Sequence, residues 1–262
     1  MSDPIPTFVI VGAQKCGTTS LHHALRSHPE IHMSNPVKEP GYFLKNDWLV
    51  TYWKARGRNI QSRQDLLAQA MLDGFKGQSH FGESSTYYTL GDFCQRQGVA
   101  ERMARINPDM RLIYVLRDPL QRIVSNYLHC RRSGATNGSL SQFMEERQGQ
   151  QAVATSLYYQ QIAPYLEYFG ADKILLLLFD DLVNNANATL NRVCRFLTVQ
   201  EMASNMALSA LNVSENRSDV QQDQLMLPSS QEKALRQRLQ ADAEKLSAEL
   251  GLDVSEWTFE LS

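Results

Sequence analysis

The first apolar run of the chain, Phe8-Val9-Ile10-Val11, passes without a break into Gly12-Ala13-Gln14-Lys15-Cys16-Gly17-Thr18-Thr19-Ser20 and then into helical spacing over residues 18–27. A run that is apolar at every position suits a strand buried on both faces, and a tight turn from strand to helix is the unit of a parallel sheet. The pattern recurs. Residues 112–116 and 174–179 are apolar runs rich in branched side chains, and helical spacing covers 92–106, 120–131, 158–169 and 186–196. Strands alternating with helices predict an α/β fold whose central parallel sheet is covered on both sides. Pro29 stops the first helix, and Gly170 caps the one over 158–169. Residues 132–139 and 212–230 read as loops. Leucines at helical spacing over 231–250, mixed with both charges, predict an amphipathic helix on the rim.

The chain has 262 residues, which we read as a single domain over 1–262, large enough to bury a core without metals or disulfides. Its formal net charge of −2, with both signs interspersed, argues against nucleic-acid or anionic-membrane binding through a basic field. Any anion must therefore be caught locally. Cys16, Cys94, Cys130 and Cys194 are widely spaced, form no metal or dithiol motif, and suit free thiols in a reducing compartment. No basic leader precedes the first strand, and no stretch reaches the roughly 18 apolar residues of a membrane span. The expectation is a cytoplasmic protein with no transmembrane segment and no metal.

The loop after the first strand is where an anion site is cheapest to build. Glycines allow the tight turn, unpaired N–H groups at the helix start point at a ligand, and the helix dipole favours negative charge. Gly12 and Gly17 keep the spacing of a Walker A loop, but Thr18 stands where its lysine belongs, and Lys15 lies inside the loop instead. A lysine there is nearer a 5′-phosphate and its leaving-group bridge than a γ-phosphate, which suits a ligand carrying one phosphate and a sulfate. A second anion segment follows the 112–116 strand. Arg117 projects from the strand's carboxyl end toward the same crevice, and Ser125 falls about two helical turns further on. A guanidinium fork plus a hydroxyl clamps a phosphate well.

These two segments resemble those of the sulfotransferases that use 3′-phosphoadenosine 5′-phosphosulfate (PAPS). Residues 8–21 look like their 5′-phosphosulfate loop. Residues 111–127, with Arg117-Asp118-Pro119 and Ser125-Asn126-Tyr127, look like their 3′-phosphate segment. Residues 158–182 and the tail near Trp257 are similar to later parts of the family, and the wording is closer to the bacterial and heparan-sulfate-type branch. The resemblance implies a P-loop-type three-layer α/β/α sandwich and metal-free sulfuryl transfer from PAPS, leaving adenosine 3′,5′-bisphosphate. It implies a cofactor-binding set of Gln14, Lys15, Cys16, Gly17, Thr18, Thr19, Ser20, Arg117, Ser125, Tyr158 and Arg217, the last on a loop closing over the nucleotide.

Lys38-Glu39-Pro40-Gly41-Tyr42-Phe43 resembles the family's glutamate segment, so Glu39 is the expected general base, with Lys15 the other catalytic residue. Nearby aromatics can exclude water and raise a carboxylate's pKa. In the segment similar to residues 82–88, the heparan-sulfate branch carries a lysine where this chain has Ser84, so another cation, such as Lys38, has to assist Lys15 or Lys15 acts alone. Cys16 beside a helix start is open to a lowered pKa or to a filling role in the turn. Trp48, Tyr52, Trp53 and Phe75 lean toward an apolar or ring-containing acceptor over a long anionic polysaccharide, and the expected partner is a small-molecule or lipid- or carbohydrate-type acceptor that offers a hydroxyl or amine. Two other readings stand. A P-loop kinase or nucleotidase would use Asp180 and Asp181 for magnesium; a non-catalytic module would only hold the bisphosphate nucleotide.

Overall fold

The structure is a computed structural model that describes residues 4–202 and 222–261. Five strands, β1 (Phe8–Gly12), β2 (Ile31–Met33), β3 (His80–Glu83), β4 (Arg111–Leu116) and β5 (Ile174–Leu178), form one sheet in the order β2-β3-β1-β4-β5. Every pairing is parallel, with Val9 opposite both Glu83 and Leu112. All five residues of β1 are buried, and so are Leu112 to Leu116 of β4. Successive strand side chains point to opposite faces, so burial at every position means that both faces are covered. The result is the expected three-layer α/β/α sandwich.

The covering helices are α1 (Thr18–Arg26), α2 (Asn46–Lys54), α3 (Arg63–Leu66), α4 (Asp92–Gln97), α5 (Val99–Ile106), α6 (Pro119–Arg132), α7 (Leu140–Glu145), α8 (Arg147–Ser156), α9 (Tyr158–Leu166), α10 (Phe179–Asn184), α11 (Ala186–Leu197) and α12 (Ser229–Leu250). The rim helix α12 buries Leu235, Leu239 and Leu246 and stops where Gly251 turns left-handed. Residues 92–106 are two helices rather than one, because Gly98 takes a φ of 59° between them. Residues 140–156 hold α7 and α8, and α7 begins at a Ser139–Gln142 capping box. β2 and β3 carry no long apolar run. They are strands because the sheet receives them: at Gly82 the Phe8 side chain of β1 lies so close that a Cβ would sit 2.2 Å from its ring.

This packing puts the segments after β1, β3, β4 and β5 at one edge. In a parallel sheet the carboxyl ends of the strands lie together, and ligands bind just outside them. The loop 13–17, the turn 84–86, Arg117 and Phe179 all leave the sheet there.

Candidate active site

Gly17 precedes α1 with a φ of 82°, makes no side-chain cap, and α1 has no acid in its first turn. The N–H groups of Thr18, Thr19 and Ser20 thus open toward the sheet edge beside Lys15, which holds a φ of 72°. A non-glycine residue in the left-handed region carries a strain of order 1 kcal/mol. Phe179 ties this loop to the second anion segment. A Cβ on Gly17 would sit 3.0 Å from its ring, and the Arg117 guanidinium lies 4.9 Å from the ring centroid. The two segments expected to hold anions therefore converge on one aromatic side chain.

Beneath them runs a set of hydrogen bonds. Ala13 N–H donates to the Val115 carbonyl at 2.8 Å, and Asn126 Nδ2 to Gln14 Oε1 at 3.3 Å. Arg122, fully buried, donates to Ser156 Oγ at 2.6 Å, to the Ala152 carbonyl, and to the Gln14 carbonyl at 3.3 Å. Asp118 caps α6 through Oδ1, bonding the N–H groups of Leu120 and Gln121, while Oδ2 takes the Phe259 N–H at 2.9 Å. The chain's last residues thereby brace the turn that carries Arg117.

On the other side of α1's start, Lys38 Nζ lies 2.8 Å from Glu39 Oε1 and 3.3 Å from Thr18 Oγ1. Thr86 Oγ1 donates to Glu39 Oε2 at 3.1 Å. One ammonium group thus bridges the phosphate-type loop and the carboxylate. Ser84 is buried, with its Oγ 2.8 Å from His22 Nδ1 and its N–H on the Lys38 carbonyl. Burial, reinforced by the Lys38 charge, pushes His22 down to about 3, so the imidazole is neutral at physiological pH. Beyond Glu39 stands an aromatic wall. Trp48 and Tyr52 stack at 4.5 Å, Tyr52 and Tyr87 share a 2.9 Å hydroxyl contact, and Phe93 packs on Trp48. Burial first, then Tyr52 and the Glu39 charge, pushes the Tyr87 phenol up.

The structure therefore gathers Lys15, Gly17, Thr18, Thr19, Ser20, Arg117 and Glu39 at one edge, with Gln14 and Ser125 in the braced layer beside them. Two of the expected binding residues are fully buried. Tyr158 lies beneath the loop, donating to the Arg117 carbonyl at 2.9 Å. Cys16 is also fully buried, its Sγ 3.7 Å from the Tyr158 hydroxyl; burial pushes the thiol up to about 11, overriding the pull of Arg122 and Arg117. It fills the turn. Arg217 lies outside the described residues. Tyr42 and Phe43 are core, so the ring near Glu39 is Tyr87. Trp53 is buried, and Phe75 packs on His32 and Phe81, away from the wall. Asp181 pairs with Arg192 at 3.7 Å in the first turn of α10. Arg122 and Glu83 are given no role by the sequence: Arg122 offers only the signal of an arginine among apolar residues of one helix, and Glu83 offers none, because the strand it ends shows no strand pattern.

The glycine loop, the Arg117 segment and a carboxylate thus share one edge of a parallel three-layer sandwich. The profile of the sulfotransferase domain matches residues 6–244, and the chain belongs to that family. It is similar to human carbohydrate sulfotransferase 15, 24% identical over 253 residues, covering 74% of this chain and 44% of that protein. It is also similar to mouse heparan sulfate glucosamine 3-O-sulfotransferase 3B1, 26% identical over 208 residues, covering 77% of this chain and 48% of that protein. The chain thus spans less than half the length of these relatives. A sulfotransferase crystal structure from Alicyclobacillus acidocaldarius superposes with a TM-score of 0.75 at 25% identity, covering 97% of this chain and 99% of that one. The sulfotransferase domain of the Synechococcus PCC 7002 olefin synthase shares the fold, with a TM-score of 0.57 at 16% identity and 97% of each chain covered.

Proposed function

We propose that this protein moves a sulfuryl group from PAPS to a hydroxyl or amine, with Glu39 taking the acceptor's proton. The convergence of the Gly12–Gly17 loop and Arg117 on Phe179 is the observation that carries the reading. A ligand with a phosphosulfate at one end and a 3′-phosphate at the other matches two cationic segments held together by a shared ring and a common bonded underlayer.

In the reaction the acceptor oxygen or nitrogen forms a bond to sulfur, and the bond from sulfur to the 5′-phosphate oxygen breaks, releasing adenosine 3′,5′-bisphosphate. The chain's own residues position and stabilise. The N–H groups of residues 18–20 and the Lys15 ammonium meet the charge that grows on the leaving oxygen. Lys38, between Thr18 and Glu39, supplies a second cation where the related branch has a lysine at the position of Ser84. Glu39 sits with a side-chain exposure of 30%, open enough to meet an acceptor. The wall of Trp48, Tyr52, Tyr87 and Phe93 offers flat apolar surface to the C–H face of a ring. With relatives named as carbohydrate and heparan sulfate enzymes, this favours a saccharide-type acceptor.

Incubation with sulfur-labelled PAPS and a panel of amino sugars, short glycosaminoglycan fragments and phenols tests this directly. Label is expected to move to a saccharide, with adenosine 3′,5′-bisphosphate formed in equal amount. Tight nucleotide binding with no transfer to any member of the panel would instead favour a module that only holds the nucleotide.

A further inference from the structure

The segment that carries Glu39 is held by a carboxyl group the mechanism above does not use. Glu83 ends β3 and is fully buried. Ser85 Oγ donates to its Oε2 at 2.5 Å, and the Tyr88 hydroxyl donates to its Oε1. Each of those hydroxyl oxygens in turn accepts a backbone N–H from the residues just past Glu39. Gly41 N–H reaches Ser85 Oγ at 2.9 Å, and Phe43 N–H reaches the Tyr88 hydroxyl at 3.0 Å. A hydroxyl has one hydrogen to give. Held by the Glu83 carboxyl, each hydroxyl oxygen keeps a lone pair facing the 41–43 backbone. The same turn makes two further contacts: Ser84 N–H on the Lys38 carbonyl at 3.3 Å, and Thr86 Oγ1 on Glu39 Oε2 at 3.1 Å.

We infer that Glu83 is a positioning residue for the acceptor side of the site, orienting Ser85 and Tyr88 so that they fix the backbone on which Glu39 is mounted. The inference rests on the reading of Glu39 as the base. A buried carboxyl is an expensive way to fill a core, since taking the ionised form out of water costs several kcal/mol unless hydrogen bonds compensate. Burial pushes Glu83 up to about 8, with the Ser85 and Tyr88 bonds opposing that shift and the Glu39 charge adding to it. An apolar residue would pack there at no such cost, but it would leave both hydroxyls free to turn away from the 41–43 backbone.

A double-mutant cycle decides the matter. Glu83→Gln, Ser85→Ala and Glu39→Gln are made singly, and each of the first two is combined with Glu39→Gln. For each protein, kcat and KM for PAPS-dependent transfer and the calorimetric Kd for adenosine 3′,5′-bisphosphate are measured. Glu83→Gln is expected to lower kcat about tenfold or more, as misplacement of a reacting group does, and to leave the Kd within about twofold. Ser85→Ala, which removes one of the two links and spares the core volume of Glu83, is expected to lower kcat less. Neither change is expected to slow the Glu39→Gln enzyme further, because a residue acting through Glu39 has nothing left to position. The inference is overturned if both variants keep native kcat, if their losses multiply fully with that of Glu39→Gln, or if Glu83→Gln loses nucleotide affinity in step with rate. Native turnover in Glu39→Gln alone would overturn the base assignment and this inference together. A failure confined to the Glu83 and Ser85 variants leaves the base assignment standing.

Discussion

Lys15→Ala is expected to lower the rate of sulfate transfer by roughly 10²–10³, the usual loss when a donor to developing charge is removed. The backbone makes this variant easy to interpret. Lys15 holds a φ of 72°, a conformation glycine adopts freely and alanine does not. Lys15→Gly therefore relieves strain that Lys15→Ala keeps. If the ammonium is what matters, the two variants lose rate alike although they differ in loop strain. If the lysine serves only to shape the turn, the glycine variant keeps its rate and gains stability. Rapid-quench single-turnover measurements separate this loss from any change in PAPS affinity.

Glu39→Gln is expected to depress single-turnover transfer by about 10²–10⁴, the range for a general base, while leaving nucleotide affinity close to native. The amide still accepts from Thr86 Oγ1 but cannot take a proton. Its effect on binding is small because the Lys38–Glu39 pair is partly exposed, and such pairs contribute only about 0–1 kcal/mol. A transfer rate equal to the native enzyme's would remove Glu39 from the chemistry.

The parts of this architecture visible in the amino-acid order are those where one segment decides its own structure. β1, β4 and β5 are apolar at nearly every position because both their faces are covered, and the glycine loop and Arg117 stand at the ends of two of them. β2 and β3 were hidden because three and four residues containing His32, His80 and Gly82 show no strand pattern until neighbouring strands receive them. The site divides the same way. Lys15 and Glu39 lie in short runs whose chemistry can be read locally. Arg122 and the Lys38 bridge depend on partners twenty or more residues away, Ser156 for Arg122 and Thr18 for Lys38, while Glu83 is bonded by its near neighbours Ser85 and Tyr88 and is hidden because its burial is set by the sheet. Burial depth was equally hidden. Cys16 and Tyr158 sit in segments similar to binding segments, yet both face the core beneath the loop, where burial outweighs the nearby positive charge on the thiol.

Titration calorimetry with adenosine 3′,5′-bisphosphate and with adenosine 5′-monophosphate, on the native protein and on Arg117→Ala, tests the two-segment grip most directly. Saturable binding of the bisphosphate and weaker binding of the monophosphate are expected. Arg117→Ala is expected to cost the bisphosphate about 10–100-fold in affinity, the value of a charge-assisted hydrogen bond, and the monophosphate almost nothing. No heat with the bisphosphate, or an equal loss for both nucleotides, would rule out the two-segment grip.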